Sequence, residues 1–381
     1  MFTRKDFDRL AEHSSPGSVT LYIPTHRAGE KTHNGHDALV LKDALKDARQ
    51  QLEGRGVDGK AIEKTLEPVR SLVDDTNLWR HQSDALAIFA SDGEVETFSL
   101  PIPMTAPEVY VEDAYRLSVA ARMLAPGARW YVFAVTQNDN RFFECTRSTA
   151  TSIFIEDLVP EDMEEVLEIY DGAETLQHHG AAEGSGAIFH GQGSNEDRRD
   201  ERLGIYFRRI GNGITDLIAG QEEPLVLACD AQHSSELSAS IDYPHLVEEA
   251  VTTHPDVLDP VALQRESWRI VQPLFDKTTD ELQDKFASAN GGGTIANGLS
   301  DVVRAAAMGQ VAALYVAETA GDRSGRYDES TGQVKFDTSG NSLLEQAIRY
   351  TVSRGGKVLF RLAEQVPDTT DGVSAVLRFE A

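Results

Sequence analysis

Over residues 171–195 the chain has no hydrophobic periodicity and carries six glycines, at 172, 180, 184, 186, 191 and 193. Such a stretch offers neither a helical stripe nor a strand alternation to bury. It therefore divides the patterned sequence around it and supplies no core of its own. A glycine-dotted segment of this length inside a folded region is either a functional loop or a disordered one. Here it closes on a specific tetrapeptide, His190-Gly191-Gln192-Gly193, and passes straight into Ser194-x-x-Asp197, an arrangement that caps a helix N-terminus. That placement makes it the first candidate for chemistry.

The patterned sequence reads as three α/β units, as expected for 381 residues, too many for one ordinary core. Residues 1–125 form the first. A strand is predicted over 19–23, stopped by Pro24, with helices over about 36–52 and 60–74 and short strands over 85–90, 94–100 and 108–111. Residues 126–258 form the second. Strands over 130–136 and 141–146 flank Gln137-Asn138-Asp139-Asn140, a hairpin signal, and 151–155 adds a third. After the glycine stretch, Leu203, Phe207, Ile210, Ile214 and Leu217 give a helix its buried stripe. Gly204, Gly211 and Gly213 are expected to weaken that helix and kink its second half. Residues 224–229 read as a buried strand and 244–252 as a helix.

Residues 259–381 form the third unit. A long helical pattern runs through Leu282 and Phe286, and a helix over 299–308 closes on Gly309. A strand over 311–316, a polar excursion over 321–340, a helix over 342–353 and strands over 357–362 and 374–379 complete it. Alternating helices and strands predict a mixed α/β fold in layers.

Composition narrows the partners. Hydrophobic residues are 40% and charged residues 26%, the mixture of a globular protein. The start, MFTRKDFDRLAEH, has no apolar h-region, which argues against a signal peptide, and no apolar run is long enough to cross a bilayer. A cytoplasmic protein with no membrane partner is the expectation, and in that setting Cys145 and Cys229 read as buried thiols. The net charge of −26 repels nucleic acid at long range, so a nucleic-acid role must rest on local basic patches. The acidity is concentrated over 151–200, whereas residues 1–50 are nearly balanced. Acidity with arginine favoured over lysine looks like adaptation to a salty interior, where salt screens repulsion.

Three side-chain groups stand out. Arg198, Arg199 and Arg202, with Arg208 and Arg209 further on, are placed to neutralise phosphates beside the glycine stretch. Interleaved Glu196, Asp197, Asp200 and Glu201 make an ion-paired, solvated helix face the equal alternative. His26 and Arg27, with Lys31, His33 and His36, follow the first strand and read either as RNA contacts or as an exposed loop capping it. His178, His179 and His190, with Glu183 or Asp197, lack the rigid spacing of a metal site, and no metal or other cofactor is expected. The same histidines leave an RNA-cleaving activity open.

Three segments together carry a resemblance. They are Leu21-Tyr22-Ile23-Pro24-Thr25-His26-Arg27-Ala28-Gly29, the Gly191-Gln192 stretch, and the C-terminal set LSDVVRAAAMGQVAALYV, LLEQAIRYTVSRGGKVLF and AVLRF. In order and spacing the chain resembles bacterial homologues of the archaeo-eukaryotic class 1 peptide release factors and Pelota, over nearly its whole length. The resemblance implies a three-domain architecture: an N-terminal α/β domain, a middle domain with a hairpin sheet and a Gly-Gln loop, and a layered C-terminal domain like the kink-turn-binding ribosomal proteins. It implies the ribosome as partner, through rRNA and P-site tRNA, and a translational GTPase at the C-terminal domain.

In release factors a Gly-Gly-Gln loop helps water cleave peptidyl-tRNA. Gly191 and Gln192 match its last two residues, and His190 stands where the first glycine is. The resemblance thus implies Gln192, Gly191 and His190 as the catalytic tip, with ribosome rescue as the activity. Codon-reading motifs are not recognisable in residues 1–120. A non-catalytic hibernation or recycling factor, in which His190 is tolerated, is the alternative within the same family. A binding protein without ribosomal contact is the plainest reading outside it.

Overall fold

The computed structural model describes residues 1–26, 35–80, 82–160, 162–166, 195–292, 294–328, 330–337, 340–366 and 371–379, apart from the side chains of 195–200, 286, 287 and 289–292. The fold is mixed α/β, with four sheets among these residues. Contacts divide the chain into two compact units, residues 1–128 with 276–381, and residues 129–275.

Helix α1 (Arg4–Glu12) opens the chain on a capping box. The Thr3 hydroxyl accepts from the Asp6 amide at 3.1 Å, and the Asp6 carboxylate accepts from the Thr3 amide at 3.0 Å. Strands β1 (Ser18–Pro24), β2 (Ala85–Ser91), β3 (Glu94–Leu100) and β4 (Glu108–Glu112) form an antiparallel sheet in the order β3-β2-β1-β4. Asp92 and Gly93 both take positive φ, 53° and 93°, the geometry that a two-residue hairpin between β2 and β3 requires. Alternation sends Leu21, Ile23, Leu86 and Ile88 to one face, under α2 (His36–Gly54) and α3 (Gly59–Ser71). Tyr22, Ala85, Ala87 and Phe89 point to the other face. Short helices α4 (Thr76–Arg80) and α5 (Ser118–Ala121) follow α3 and β4 respectively.

In residues 129–275, β5 (Trp130–Val135), β6 (Asn140–Cys145) and β7 (Ala150–Ile153) form a meander. The chain returns through α6 (Asn195–Leu217) to β8 (Leu225–Ala228), which lies parallel to β5 on its far side, in the order β7-β6-β5-β8. Helix α7 (Ser234–Ala239) follows. Cys145 and Cys229 are buried and are not joined in a disulfide. Helix α6 runs unbroken through its glycines because they are contact points. A Cβ at Gly211 would sit 2.3 Å from the Ser240 carbonyl oxygen, and one at Gly213 2.3 Å from that of Leu158.

The helix expected over 244–252 does not form. This segment is extended and bridges the edge of β8, with Val247 and Val251 amides donating to the Leu225 and Leu227 carbonyls, both at 2.8 Å. Satisfying the open edge of β8 outweighs the local helical pattern.

Helix α8 (Pro260–Gly292) begins among the residues of this middle core, where Leu263, Val271 and Phe275 meet Trp130 and Val226. Its later residue Leu282 packs with Tyr315, whose hydroxyl donates to the Leu282 carbonyl at 2.9 Å. Strands β9 (Ile295–Asn297), β10 (Val311–Ala317), β14 (Lys357–Arg361) and β15 (Val373–Leu377) form a sheet in the order β14-β10-β15-β9, with β10 and β14 parallel. Helices α9 (Leu299–Ala307) and α10 (Leu343–Ser353) cover one face of it. The polar excursion holds a small sheet of its own, β11 (Ser324–Asp328), β12 (Gln333–Phe336) and β13 (Asn341–Ser342). Residues from both ends of the chain share one core. Phe7, Tyr22, Phe89 and Leu117 join Leu299, Val303, Leu314, Leu343 and Ile348 in a single buried cluster.

Candidate functional site

The glycine stretch feeds the N-terminus of α6, and α6 is anchored along its length. Leu203, Tyr206, Phe207, Ile210, Ile214 and Ile218 are buried. The Tyr206 hydroxyl lies 2.8 Å from the Thr136 carbonyl oxygen and 3.0 Å from Asn140 Oδ1, at the β5–β6 turn. Burial pushes that phenol's pKa up, so it stays a neutral hydrogen-bonding pin. Of the residues singled out in the sequence, His190, Gly191, Gln192 and Arg27 lie outside the described residues, as do His178 and His179. Arg198 and Arg199 fall in the first turns of α6, where only the backbone is described. Arg202, Arg208 and Arg209 are exposed on the same helix.

His26 ends β1 and is held by Asp37 of α2. Its Nδ1 lies 2.7 Å from Asp37 Oδ1, and its backbone amide donates to Asp37 Oδ2 at 2.9 Å. Asp37 is buried, so the pair fixes the imidazole of the half-buried His26 beside the His36 ring, 5.9 Å away between centroids. This arrangement positions His26 whatever it meets.

A second constellation escaped the sequence reading. Strand order reverses at β5, because the chain moves outward through β6 and β7 and then returns to lay β8 on the opposite side. A crevice opens beyond the carboxyl ends of parallel strands at such a reversal. Here it is a cleft of roughly 280 Å³. Its floor is apolar, with Val135, Leu203, Phe207 and Cys229 all buried. Burial pushes the Cys229 thiol up to about 11, so it is a packing group and not a nucleophile at neutral pH.

The rim of this cleft is polar. Asp230 accepts from the Gln232 amide at 3.2 Å and from its side chain at 3.3 Å, while Gln232 Nε2 lies 3.2 Å from His233 Nε2. The His233 ring meets Phe207 edge to face at 5.8 Å. Opposite, His254 Nδ1 accepts from the Asp256 amide at 3.4 Å. No lysine or arginine lines the cleft, and no cluster of three or more metal-binding side chains occurs among the described residues. The sequence signal was available, since Asp230, Gln232 and His233 directly follow a buried strand. Only the parallel pairing of β8 with β5 gives that position meaning.

Residues 130–273 match the family described as Bacterial archaeo-eukaryotic release factor family 7. That span starts at the first residue of β5 and ends inside α8, so it follows the middle unit and encloses the Gly191-Gln192 stretch, α6 and the cleft. The middle unit, residues 130–273, thus carries the signature of a family of bacterial homologues of the archaeo-eukaryotic release factors.

Among solved structures the chain is similar to the archaeal translation termination factor aRF1, at 15% identity, covering 99% of each chain with a TM-score of 0.25. It is similar to a ribosome-bound archaeal Pelota at 11% identity, covering 100% of this chain and 95% of that one, with a TM-score of 0.35. To S. cerevisiae Dom34, a translation termination-like factor, identity is 11% over 78% of this chain and 79% of that one, with a TM-score of 0.34. No curated protein matches the chain. Among the described residues no helix is long and apolar enough to cross a membrane.

Proposed function

We propose that this protein is a cytoplasmic, ribosome-binding translation factor that enters the A site and presents Gly191-Gln192 to the peptidyl-tRNA ester in the rescue of stalled ribosomes. The observation that carries this reading is the family match over 130–273, which spans the glycine stretch and the helix that follows it. Glycine at 191 lets backbone approach a crowded ester closely. The Gln192 amide is a neutral donor and acceptor, suited to placing a water on the ester carbon without titrating. Water adds to that carbon, the tRNA 3′ oxygen leaves with a proton, and the peptide departs as its acid. Arg198, Arg199 and Arg202 follow on α6 as contacts to rRNA or tRNA phosphates, and His26 and Arg27 contact RNA from the N-terminal domain. The three-domain division at 125 and 258 leaves residues 259–381 as the contact for a translational GTPase.

The test is release of a peptide from P-site tRNA on purified ribosomes, without puromycin. Release should occur and should fall at least a hundredfold in Gln192→Ala, the scale at which removal of one positioned polar group is felt in other hydrolases. Failure to sediment with ribosomes at any salt concentration would remove the reading altogether. His190 in place of the first glycine supports a second reading, a non-catalytic A-site occupant in hibernation or recycling. Tight ribosome binding with no release, unchanged by His190→Gly, would establish it over the first.

A further inference from the structure

The cleft beyond the carboxyl ends of β5 and β8 is not used by the proposed hydrolysis, which needs only the glycine stretch and α6. We propose that this cleft is a binding site for a free, neutral nucleoside.

Four features of the cleft fit one planar heterocycle with its sugar. The first is size, since roughly 280 Å³ lies just below the range of about 300–1,000 Å³ typical of drug-sized ligands and suits a small one. The second is the floor. Val135, Leu203 and Phe207 are buried and apolar, so they would cover a ring face and would leave an ammonium group unsolvated. The third is the set of amides at the mouth. Gln137 and Asn138 are exposed at the β5–β6 turn, and their side chains make no hydrogen bond among the described residues. Each supplies a donor beside an acceptor, the pattern of a base edge.

The fourth feature is charge. Asp230 and Asp256 stand on the rim, where His254 Nδ1 lies 3.8 Å from Asp256 Oδ2, and no lysine or arginine among the described side chains lines the cleft. Carboxylates of this kind accept from ribose hydroxyls, as an acidic residue does in dinucleotide-binding folds. They also disfavour phosphate. One added negative charge at roughly 6 Å from two carboxylates in water weakens binding about tenfold. His233 is ordered against Phe207 and Gln232, and so closes one wall without adding a fixed cation.

Titration calorimetry on the full chain, free of ribosomes, tests the site with adenosine, guanosine, cytidine and uridine, their 5′-monophosphates, adenylyl-adenosine and spermidine. At least one nucleoside should bind saturably, and its 5′-monophosphate, which carries between one and two added charges, should bind at least about tenfold more weakly. Asp230→Asn should narrow that gap by at least about threefold by removing one of the two carboxylate charges, a change that loss of structure would not produce. Gln137→Ala, at an exposed turn position, should weaken the nucleoside with no change in the melting temperature. Adenylyl-adenosine, which carries one phosphodiester charge, should bind about tenfold more weakly than adenosine, and equal binding would overturn the assignment. Binding of the monophosphate as tight as the nucleoside, binding of spermidine alone, or no nucleoside binding at millimolar concentration would each overturn the assignment. None of these outcomes bears on peptide release, so the two proposals fail separately.

Discussion

Each compact unit holds a largely buried arginine among carboxylates, Arg129 in one and Arg116 in the other, and the two are built differently. In residues 129–275, Arg129 is fully buried, with its guanidinium 2.6 Å from Glu144 and 2.7 Å from Glu223. In residues 1–128 with 276–381, Arg116 keeps 15% exposure and reaches Glu112 at 3.5 Å, Glu345 at 3.3 Å and also Asp322. Burial opposes the charge of both arginines, yet the surrounding carboxylates outweigh it and hold both above the ordinary guanidinium value. Arg129 draws its partners from the neighbouring strand β6 and from the approach to β8. Arg116 joins positions more than 200 residues apart in sequence, and Glu345 also accepts from the Leu117 and Ser118 amides at 2.8 and 3.1 Å. The first network completes a local core, and the second specifies which distant segments belong together.

The sharpest way to break this contrast is to delete each arginine. Arg129→Ala leaves Glu144 buried without a partner and should destabilise the middle unit by about 3–5 kcal/mol. Urea unfolding followed by tryptophan fluorescence reads this directly, since Trp130 and Trp268 lie in that unit and Trp79 in the other. The double change Arg129→Met with Glu144→Leu should recover most of the loss, because the buried charge goes with its partner. If the double variant is as unstable as the single one, the charge pairing is not what Arg129 contributes.

Next in size is Gly213→Ala in α6. Its Cβ would press on a backbone carbonyl that cannot swing aside, at a cost of up to about 3 kcal/mol. Gly204→Ala in the same helix meets only the end of the Glu236 side chain at 3.3 Å, and should gain up to about 1 kcal/mol of helix propensity. Melting temperatures moving in opposite directions would establish the packing role, and equal losses would refute it. Arg116→Ala should cost less than Arg129→Ala, about 2 kcal/mol, since Asp322 and Glu112 keep some exposure and the buried Glu345 retains the Leu117 and Ser118 amides. Its loss should appear in the far-apart segments, as faster hydrogen exchange at the Leu117 and Ser118 amides.

These same residues show what could be read without coordinates. The element order was largely legible because burial imposes a period, as with Leu203, Phe207, Ile210 and Ile214 on α6. The role of Gly211 and Gly213 was not. Glycine in a helix looks like weakness until Ser240 and Leu158 are seen against it. Residues 244–252 carry a helical spacing but answer to the edge of β8, a partner that local pattern does not contain. The hairpin of β11 and β12 hid in a polar excursion because the exposed Ser324, Arg326, Gln333 and Lys335 leave too few apolar residues for an alternation to show. A core shared by Phe7 and Ile348 is likewise beyond any local signal. The candidate site divides the same way. Gly191-Gln192 was visible as a motif, whereas Asp230 and His233 acquire meaning only when β8 lies parallel to β5.

The smallest effect separates the units by pH. His13 sits in the first unit with its ring stacked on Tyr115 at 4.2 Å and Nε2 2.9 Å from the Ser18 hydroxyl. Burial lowers its pKa below the ordinary 6.5, against the opposing pull of Asp92 and Glu94. The folded state therefore prefers the neutral ring. An unfolded chain takes up the proton first as pH falls through 6.5, so the stability due to His13 is complete above that value and declines until the folded pKa is passed. The group is partly exposed, and the decline should be shallow, under about 1 kcal/mol. Urea midpoints between pH 7.5 and 5.5 should therefore fall slightly for the unit that holds Trp79, and His13→Gln should flatten that slope. His13→Gln should leave the pH response of the middle unit's tryptophan signal unchanged, and an equal change in both units would place the titrating group elsewhere.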